Sequence, residues 1–376
     1  MESNSGVMAI ASIFNIESLN VTGPLFTVTH SDTPDASSLD ESVMSQSALP
    51  RPWLMEIPVS PNDEPEMPTP YAIASTYYPA SQPFSEPKEC VYFQSYDNPS
   101  TIVELCRGKL GWYVAELIDA PDAASCTRLA ALSYPGSSMI HLFYVTTSGT
   151  ICDLAWSPGN GWSAGYLTAE TAPKISPWSS LSALRSANCA KLYYQRDTKL
   201  CELAYDFNVR ELCYTELANA DRGTAIASVS YAGSEGTSYH VFYQDDGMLW
   251  EHRSQGEVLT TSSLPSLTKM PPQRTSLSAI SWFTQRAYIR LYYTSETGQI
   301  CELLWDERAG WKQRLNLSDN ATPNLQPCGG AHISAMQMDR GDRIRVYRNS
   351  SPEGLVQMAF SKTSKNPKVR ALPASK

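Results

Sequence analysis

The sequence predicts an all-β protein, a β-propeller of four-stranded antiparallel blades, with seven blades favoured over six. Three observations carry that prediction. A strand of small residues ending on an aromatic or apolar side chain recurs as AIASIF, AIASTYY, LAALSY, LSALRS, AIASVSY, LSAISW and ISAMQM. Its alanines, Ala11, Ala74, Ala131, Ala183, Ala227, Ala279 and Ala335, lie 63, 57, 52, 44, 52 and 56 residues apart. Those spacings approach the roughly 40 to 50 residues of a propeller blade. From Ala74 onward an alternating hairpin follows each copy, and several hairpins end in Gly-Trp. Small residues suit an innermost strand, because blades crowd together around the axis.

Taken in order, the first repeat is the irregular one. Between Ala11 and Ala74 it offers PLFTVTHS and WLMEIPVS as strands, without the hairpin motif. Residues 33–43 are Asp/Ser-rich and read as an exposed loop. The stretch 50–87 holds ten prolines, so it reads as extended chain wrapping a face, either as a lid or as a passive connector. The expected organisation is one propeller domain over 1–376. Residues 1–70 form an irregular first blade with a Pro-rich loop, and 71–376 form six motif-bearing blades.

The later hairpins read CVYFQ/IVELC, HLFYV/ICDLAW, KLYYQ/LCELAY, HVFYQ/LWEHR, IRLYY/ICELLW and IRVYR/LVQMAF. The IRLYY copy shows the grammar best. Ile289, Leu291 and Tyr293 share one face of an extended strand, and Arg290 and Tyr292 share the other. A polar, Gly-containing turn over 294–299 leads to a returning strand from Ile300 to Trp305. Arg290 and Glu302 lie twelve residues apart across this hairpin, and Trp311 follows an acidic turn and Gly310.

The pattern [IV]-R-[VL]-Y-[YF]-Q, a turn, I-x-E, then G-W resembles the fungal fucose-specific lectins of the Aleuria type, over about residues 72–360. The resemblance implies a propeller that binds the sugar between blades, with Arg and Glu on its hydroxyls and Trp completing the pocket. The chemistry suits those residues: Arg supplies a fork of donors, Glu accepts, and an aromatic face packs on C–H groups. This chain departs from the pattern at the binding positions. The Arg position holds Cys90, His141, Lys191, His240, Arg290 and Arg345; the Glu position holds Glu104, Asp153, Glu202, Glu251, Glu302 and Gln357. Only the sixth repeat has Arg290, Glu302 and Trp311 together in sequence. A lectin gains avidity from several weak sites, so this decay argues against multivalent sugar binding.

Composition bounds the alternatives. Net charge is -9 without a long basic run, which argues against nucleic acid as the partner. No apolar run reaches the roughly 20 residues of a membrane span. Residues 1–6 carry no signal-peptide features, yet sequons stand at Asn20, Asn316, Asn320 and Asn349. The expected location is therefore the secretory lumen or the outside of the cell, with the cytoplasm as the alternative. Nine cysteines show no zinc spacing. Cys90 and Cys106 are the best disulfide pair, placed diagonally across one hairpin. Cys152, Cys201 and Cys301 read as small buried strand residues. GxSxG, HExxH, P-loop and dinucleotide motifs are absent, and no cofactor or metal is expected.

Three functions fit these features. The first is a small-molecule enzyme on a lectin-like scaffold, and here the chain resembles the lectin-like fungal hetero-Diels–Alderases. These join a tropolone-derived o-quinone methide to a humulene-type sesquiterpene. Twenty Tyr and nine Trp suit apolar substrates, and the catalysis would be orientation plus a donor toward oxygen. The catalytic candidates are Arg290, His240 and Tyr292; the substrate-binding candidates are Glu302, Trp311, Arg345, Trp282 and Glu251. Trp282, which ends an inner strand, also reads as core at the channel wall, and Arg290 as a residue of the pocket rim whose loss the fold survives. The second function is a fucose-binding lectin with one or two surviving sites. The third is an interaction module without a small ligand. Expected partners are thus a small apolar or aromatic substrate or a fucosylated glycan, and a homodimer is the assembly considered.

Overall fold

Val, Ile, Leu and Tyr fill the strands that the repeats predict, and their alternation sets two buried faces per hairpin. The computed structural model describes residues 72–78, 88–95, 97–108, 111–134, 139–168, 170–186, 189–206, 209–233, 236–256, 258–265, 271–296, 298–314, 332–350, 354–361 and 368–372. The chain divides into the units Met1–Arg51 and Pro52–Lys376. The first unit lies outside the described residues, as do Ala11 and most of the Pro-rich stretch.

Six four-stranded antiparallel sheets follow in chain order. Blade one is β1 (Ile73–Tyr78), β2 (Lys88–Gln94), β3 (Thr101–Gly108) and β4 (Gly111–Asp119). Blade two is β5 (Leu129–Tyr134), β6 (Met139–Val145), β7 (Ile151–Ser157) and β8 (Gly161–Ala164). Blade three is β9 (Leu181–Ser186), β10 (Cys189–Arg196), β11 (Lys199–Asp206) and β12 (Leu212–Asn219). Blade four is β13 (Ala227–Gly233), β14 (Gly236–Asp245), β15 (Met248–Gln255) and β16 (Val258–Ser263). Blade five is β17 (Leu277–Phe283), β18 (Ala287–Thr294), β19 (Ile300–Asp306) and β20 (Gly310–Arg314). Blade six is β21 (Ile333–Met338), β22 (Arg343–Ser350), β23 (Gly354–Phe360) and β24 (Lys368–Ala371). A 3₁₀ turn, Asp339–Gly341, links β21 to β22.

The small-residue strands are the innermost, as the sequence predicts. They touch in cyclic order: β1, β5, β9, β13, β17, β21 and back to β1. One apolar cluster fills each junction, and the cluster between blades six and one joins Met336, Met338 and Tyr347 to Ile73 and Val91. The ring is therefore closed by six blades, which corrects the expectation of seven. With β21 packed on both β17 and β1, no gap remains for another sheet.

The axis is a narrow channel of about 110 Å³, lined by residues such as Ala74, Ala130, Ser182, Ala227, Ser278 and Ser334. Inner strands of neighbouring blades share no ladder, so hydroxyls link them: Ser75 Oγ to Ser334 Oγ at 2.7 Å and Ser182 Oγ to Ser228 Oγ at 2.8 Å. Trp282 is not at this wall. It stacks on Tyr288, with ring centroids 5.4 Å apart, on the face of blade five toward blade six.

Middle strands are buried on both faces because each sheet is sandwiched between two others, whereas β16 is exposed throughout. A repeated amide holds the blades in place. Gln195 Oε1 accepts from Gly223 N at 3.0 Å, and its Nε2 donates to Asp221 O at 2.9 Å in the loop leading to the next blade. Gln94 and Gln244 do the same at Thr127 and Thr275. Among the described residues no helix is long and apolar enough to cross a membrane.

Candidate functional site

Strand alternation divides the side chains of a hairpin between two neighbours. In blade five, Arg290, Tyr292 and Glu302 face blade six, while Leu291, Tyr293, Leu303, Trp305 and Trp311 face blade four. Each junction thus combines the Arg-position and Glu-position residues of one blade with the Trp-position residue of the next. Trp311 is set by the acidic turn before it. Asp306 Oδ1 accepts from the backbone N–H groups of Arg308 and Ala309, Gly310 takes φ +68°, and Trp311 then pairs with Trp305 across the hairpin.

The predicted site residues therefore separate into three groups. Arg290, Tyr292, Glu302 and Trp282 meet at the junction of blades five and six. His240, Glu251 and Trp311 meet at the junction of blades four and five. Arg345 stands at the junction of blades six and one. The expected constellation of Arg290, Glu302 and Trp311 does not exist, because Trp311 lies on the opposite face of its blade.

The junction of blades four and five holds an imidazole, a carboxylate and an indole in one chain of contacts. His240 Nδ1 lies 2.5 Å from Glu251 Oε1, and Trp311 Nε1 donates to Glu251 Oε2 at 3.2 Å. The carboxylate fixes the proton on Nδ1 and leaves Nε2 facing away from it. His240 is fully buried, and its Nε2 has no hydrogen-bond partner among the described residues. Aromatic rings surround it: Tyr231 stacks at 5.4 Å, Trp305 lies at 5.8 Å, and Phe283 extends the stack beyond Tyr231. Trp305, Trp311, Phe283 and Arg253 are only half-buried. A buried polar atom of this kind is costly unless something pairs with it.

The other junctions are filled differently. Arg290 Nη1 donates to Glu302 Oε1 at 3.0 Å, and its guanidinium sits over the Trp282 and Phe360 rings at 5.4 and 5.7 Å. Arg290 is 4 % exposed and Glu302 0 %, so the pair is core and not a pocket rim. Burial, and next the Glu302 carboxylate, push the Tyr292 hydroxyl well above the ordinary tyrosine range, so it stays protonated. His141 pairs with Asp153 at 3.1 Å, and Lys191 with Glu202 at 2.8 Å. At the closure, Arg345 Nε lies 3.4 Å from Glu89, Gln357 Nε2 donates to the Tyr347 hydroxyl, and Trp112 packs edge-on against that ring. Cys152, Cys201 and Cys301 are buried thiols, as predicted.

Comparison with known proteins then places the fold. A profile described as "Fungal fucose-specific lectin" matches residues 135–373. The chain belongs to the fungal fucose-specific lectin family. Among solved structures, SapL1 lectin in complex with α-methyl fucoside is 23 % identical with a TM-score of 0.66, covering 82 % of this chain and 98 % of that one. AofleA from Arthrobotrys oligospora is 21 % identical with a TM-score of 0.66, covering 83 % and 88 %. The six-bladed Aleuria aurantia lectin is 20 % identical with a TM-score of 0.64, covering 81 % and 97 %. No curated protein sequence matches.

Within this lectin-family chain, sequence reasoning missed Tyr231, Phe283 and Trp305 as junction residues. Trp305 and Phe283 were visible as aromatic ends of strands. Their meeting with His240 depends on the register between blades, which no single hairpin encodes.

Proposed function

We propose that this propeller binds a small, largely apolar, oxygen-bearing molecule at the junction of blades four and five, and acts there as a cofactor-independent hetero-Diels–Alderase. The observation that carries this reading is His240 Nε2, a buried nitrogen without a partner among the described residues, inside a shell of aromatic rings. A sugar needs several converging donors and acceptors; this site offers one nitrogen and much aromatic surface. That balance fits a planar tropolone-type o-quinone methide and an apolar alkene better than a polyhydroxylated ligand.

The chemistry asks little of the protein. The four π electrons of the heterodiene and the two of the alkene become one C–C bond, one C–O bond and one new π bond, and no atom is lost. Stacking between Trp305 and Trp311 would hold the two reactants in a near-attack pose. His240 would take the proton of a bound hydroxyl through Nε2, and in its protonated form would donate toward the oxygen that gains electron density. Glu251 keeps the imidazole oriented, and Trp311 keeps Glu251 oriented.

One specific arrangement favours a second reading, a surviving fucose site. Arg345, Gln357 and Trp112 bring a guanidinium, an amide and an indole to the junction of blades six and one. One experiment separates the two. Product yield and stereochemistry are measured from a quinone-methide precursor and a humulene-type alkene, with wild-type protein, His240→Phe and Trp112→Ala. Calorimetry with methyl α-fucoside runs on the same samples. We expect acceleration by the wild type, a loss of about 10- to 1,000-fold in His240→Phe, and no change in Trp112→Ala. No acceleration by wild-type protein removes the reaction. Fucose heat abolished by Trp112→Ala, with no cycloaddition, establishes the lectin reading instead.

A further inference from the structure

At the junction of blades one and two, the place of His240 or Arg290 is taken by a cysteine. Cys90 on β2 and Cys106 on β3 are direct cross-strand partners, not diagonal ones, and Glu104 shares their face. The Sγ atoms stand 2.8 Å apart, closer than two non-bonded sulfurs can rest. Both residues are buried, at 0 % and 1 % exposure, among Ile102, Ile140 and Leu142. Tyr92 donates to Glu104 Oε1 at 2.9 Å.

Two chemistries suit a pair of thiols beside a carboxylate. In the first, Cys90, Cys106 and Glu104 bind a soft divalent metal, their donor atoms lying within 4.8 Å of one another. At Zn–S lengths of about 2.3 Å, sulfurs this close would subtend only about 75° at the ion, far below the tetrahedral angle. The carboxylate is already engaged by Tyr92. In the second, the sulfurs bond to each other. Directly opposed residues of an antiparallel pair have Cα atoms about 4.5 to 5.5 Å apart, inside the span that a disulfide bridges.

We propose that Cys90 and Cys106 form a cross-strand disulfide when the protein matures in an oxidising compartment. Two S–H bonds are lost and one S–S bond forms; two protons go to solvent, and the two electrons reduce a disulfide oxidant of the glutathione or thiol-oxidoreductase class to its dithiol. The pair is sealed once the blades close, so the exchange belongs to folding. The bond ties β2 to β3 where Arg290–Glu302 ties β18 to β19 by charge.

The test uses full-length protein purified without reductant from an oxidising expression host. It is denatured in acid, alkylated without reduction, digested and read by mass spectrometry, with zinc content measured on the native sample. The expected result is a Cys90–Cys106 linked peptide pair, lighter by two hydrogens than the free peptides, no stoichiometric zinc, and alkylated Cys213. Protein unfolded, reduced and refolded with reductant present should have a thermal midpoint lower by about 5 °C. Full alkylation of Cys90 and Cys106, or one zinc per chain that C90A releases, overturns the proposal. The first readout needs no variant, so a misfolded mutant cannot obscure it.

Discussion

Arg290 shows how depth changes the meaning of a charge. Its partner Glu302 is fully buried, and two rings cover the guanidinium. Replacing Arg290 by Ala leaves the Glu302 carboxylate in the core without its counter-charge, which costs about 3–5 kcal/mol. The expected outcome is a large fall in the urea midpoint, and the double replacement Arg290→Met with Glu302→Leu should recover most of it. A midpoint unchanged by Arg290→Ala would mean that the pair is solvated after all. The sequence showed the pair, since twelve residues across a hairpin put both groups on one face. It could not show their burial, because alternation tells which face a residue is on and not what covers that face.

At the scale of elements, the hairpins, their turns and the small-residue inner strands were all legible, because each depends on local periodicity and turn chemistry. Asp246 and Gly247, both at positive φ, make the two-residue turn that Asp-Gly predicts. The terminal Gln of the YYQ and FYQ strands recurs in plain view, yet nothing in its local sequence says what it bonds to. In the structure Gln195 is fully buried and serves the next blade's backbone. Gln195→Leu leaves Gly223 N–H without its acceptor and removes a donor from the Ala220 and Asp221 carbonyls, so it should cost about 2–4 kcal/mol by chemical denaturation. Lys199→Ala, at an exposed position on the adjacent strand, should stay within about 0.5 kcal/mol. Equal effects from the two replacements would remove the amide as a blade-to-blade link.

Blade number is a property of the whole ring, and there the sequence misled. Seven copies of a small-residue strand suggest seven blades, but closure is decided by the angle between adjacent sheets. The composite sites were illegible for the same reason, since Trp311 follows Glu302 in sequence but serves Glu251 in space. The entries to two innermost strands also carry a titrating link. His332, leading into β21, receives a hydrogen bond at Nε2 from Arg128, leading into β5, at 3.2 Å. Burial, and then the Arg128 charge, push the imidazole down to about 3. Above about pH 6.5 both folded and unfolded states are neutral there. As pH falls toward 3, the unfolded chain takes up a proton that the folded chain refuses, so stability declines. Urea midpoints at pH 7.5 and 4.5 should show that decline, and His332→Asn should flatten it. A wild-type and variant pair with equal slopes would exclude His332 as the cause.

The seam between the last blade and the first has a consequence for how the protein is made. Trp112 leaves the ribosome more than two hundred residues before Arg345 and Gln357. At about 5–20 residues per second that wait lasts on the order of tens of seconds. During it, blade one exposes the side that Met336, Met338 and Tyr347 later cover. His240 and Trp311, by contrast, lie 71 residues apart and emerge on two consecutive blades. The two candidate sites therefore mature at different times on one nascent chain, and the seam, exposed longest, is where a chaperone or an early misassembly would act.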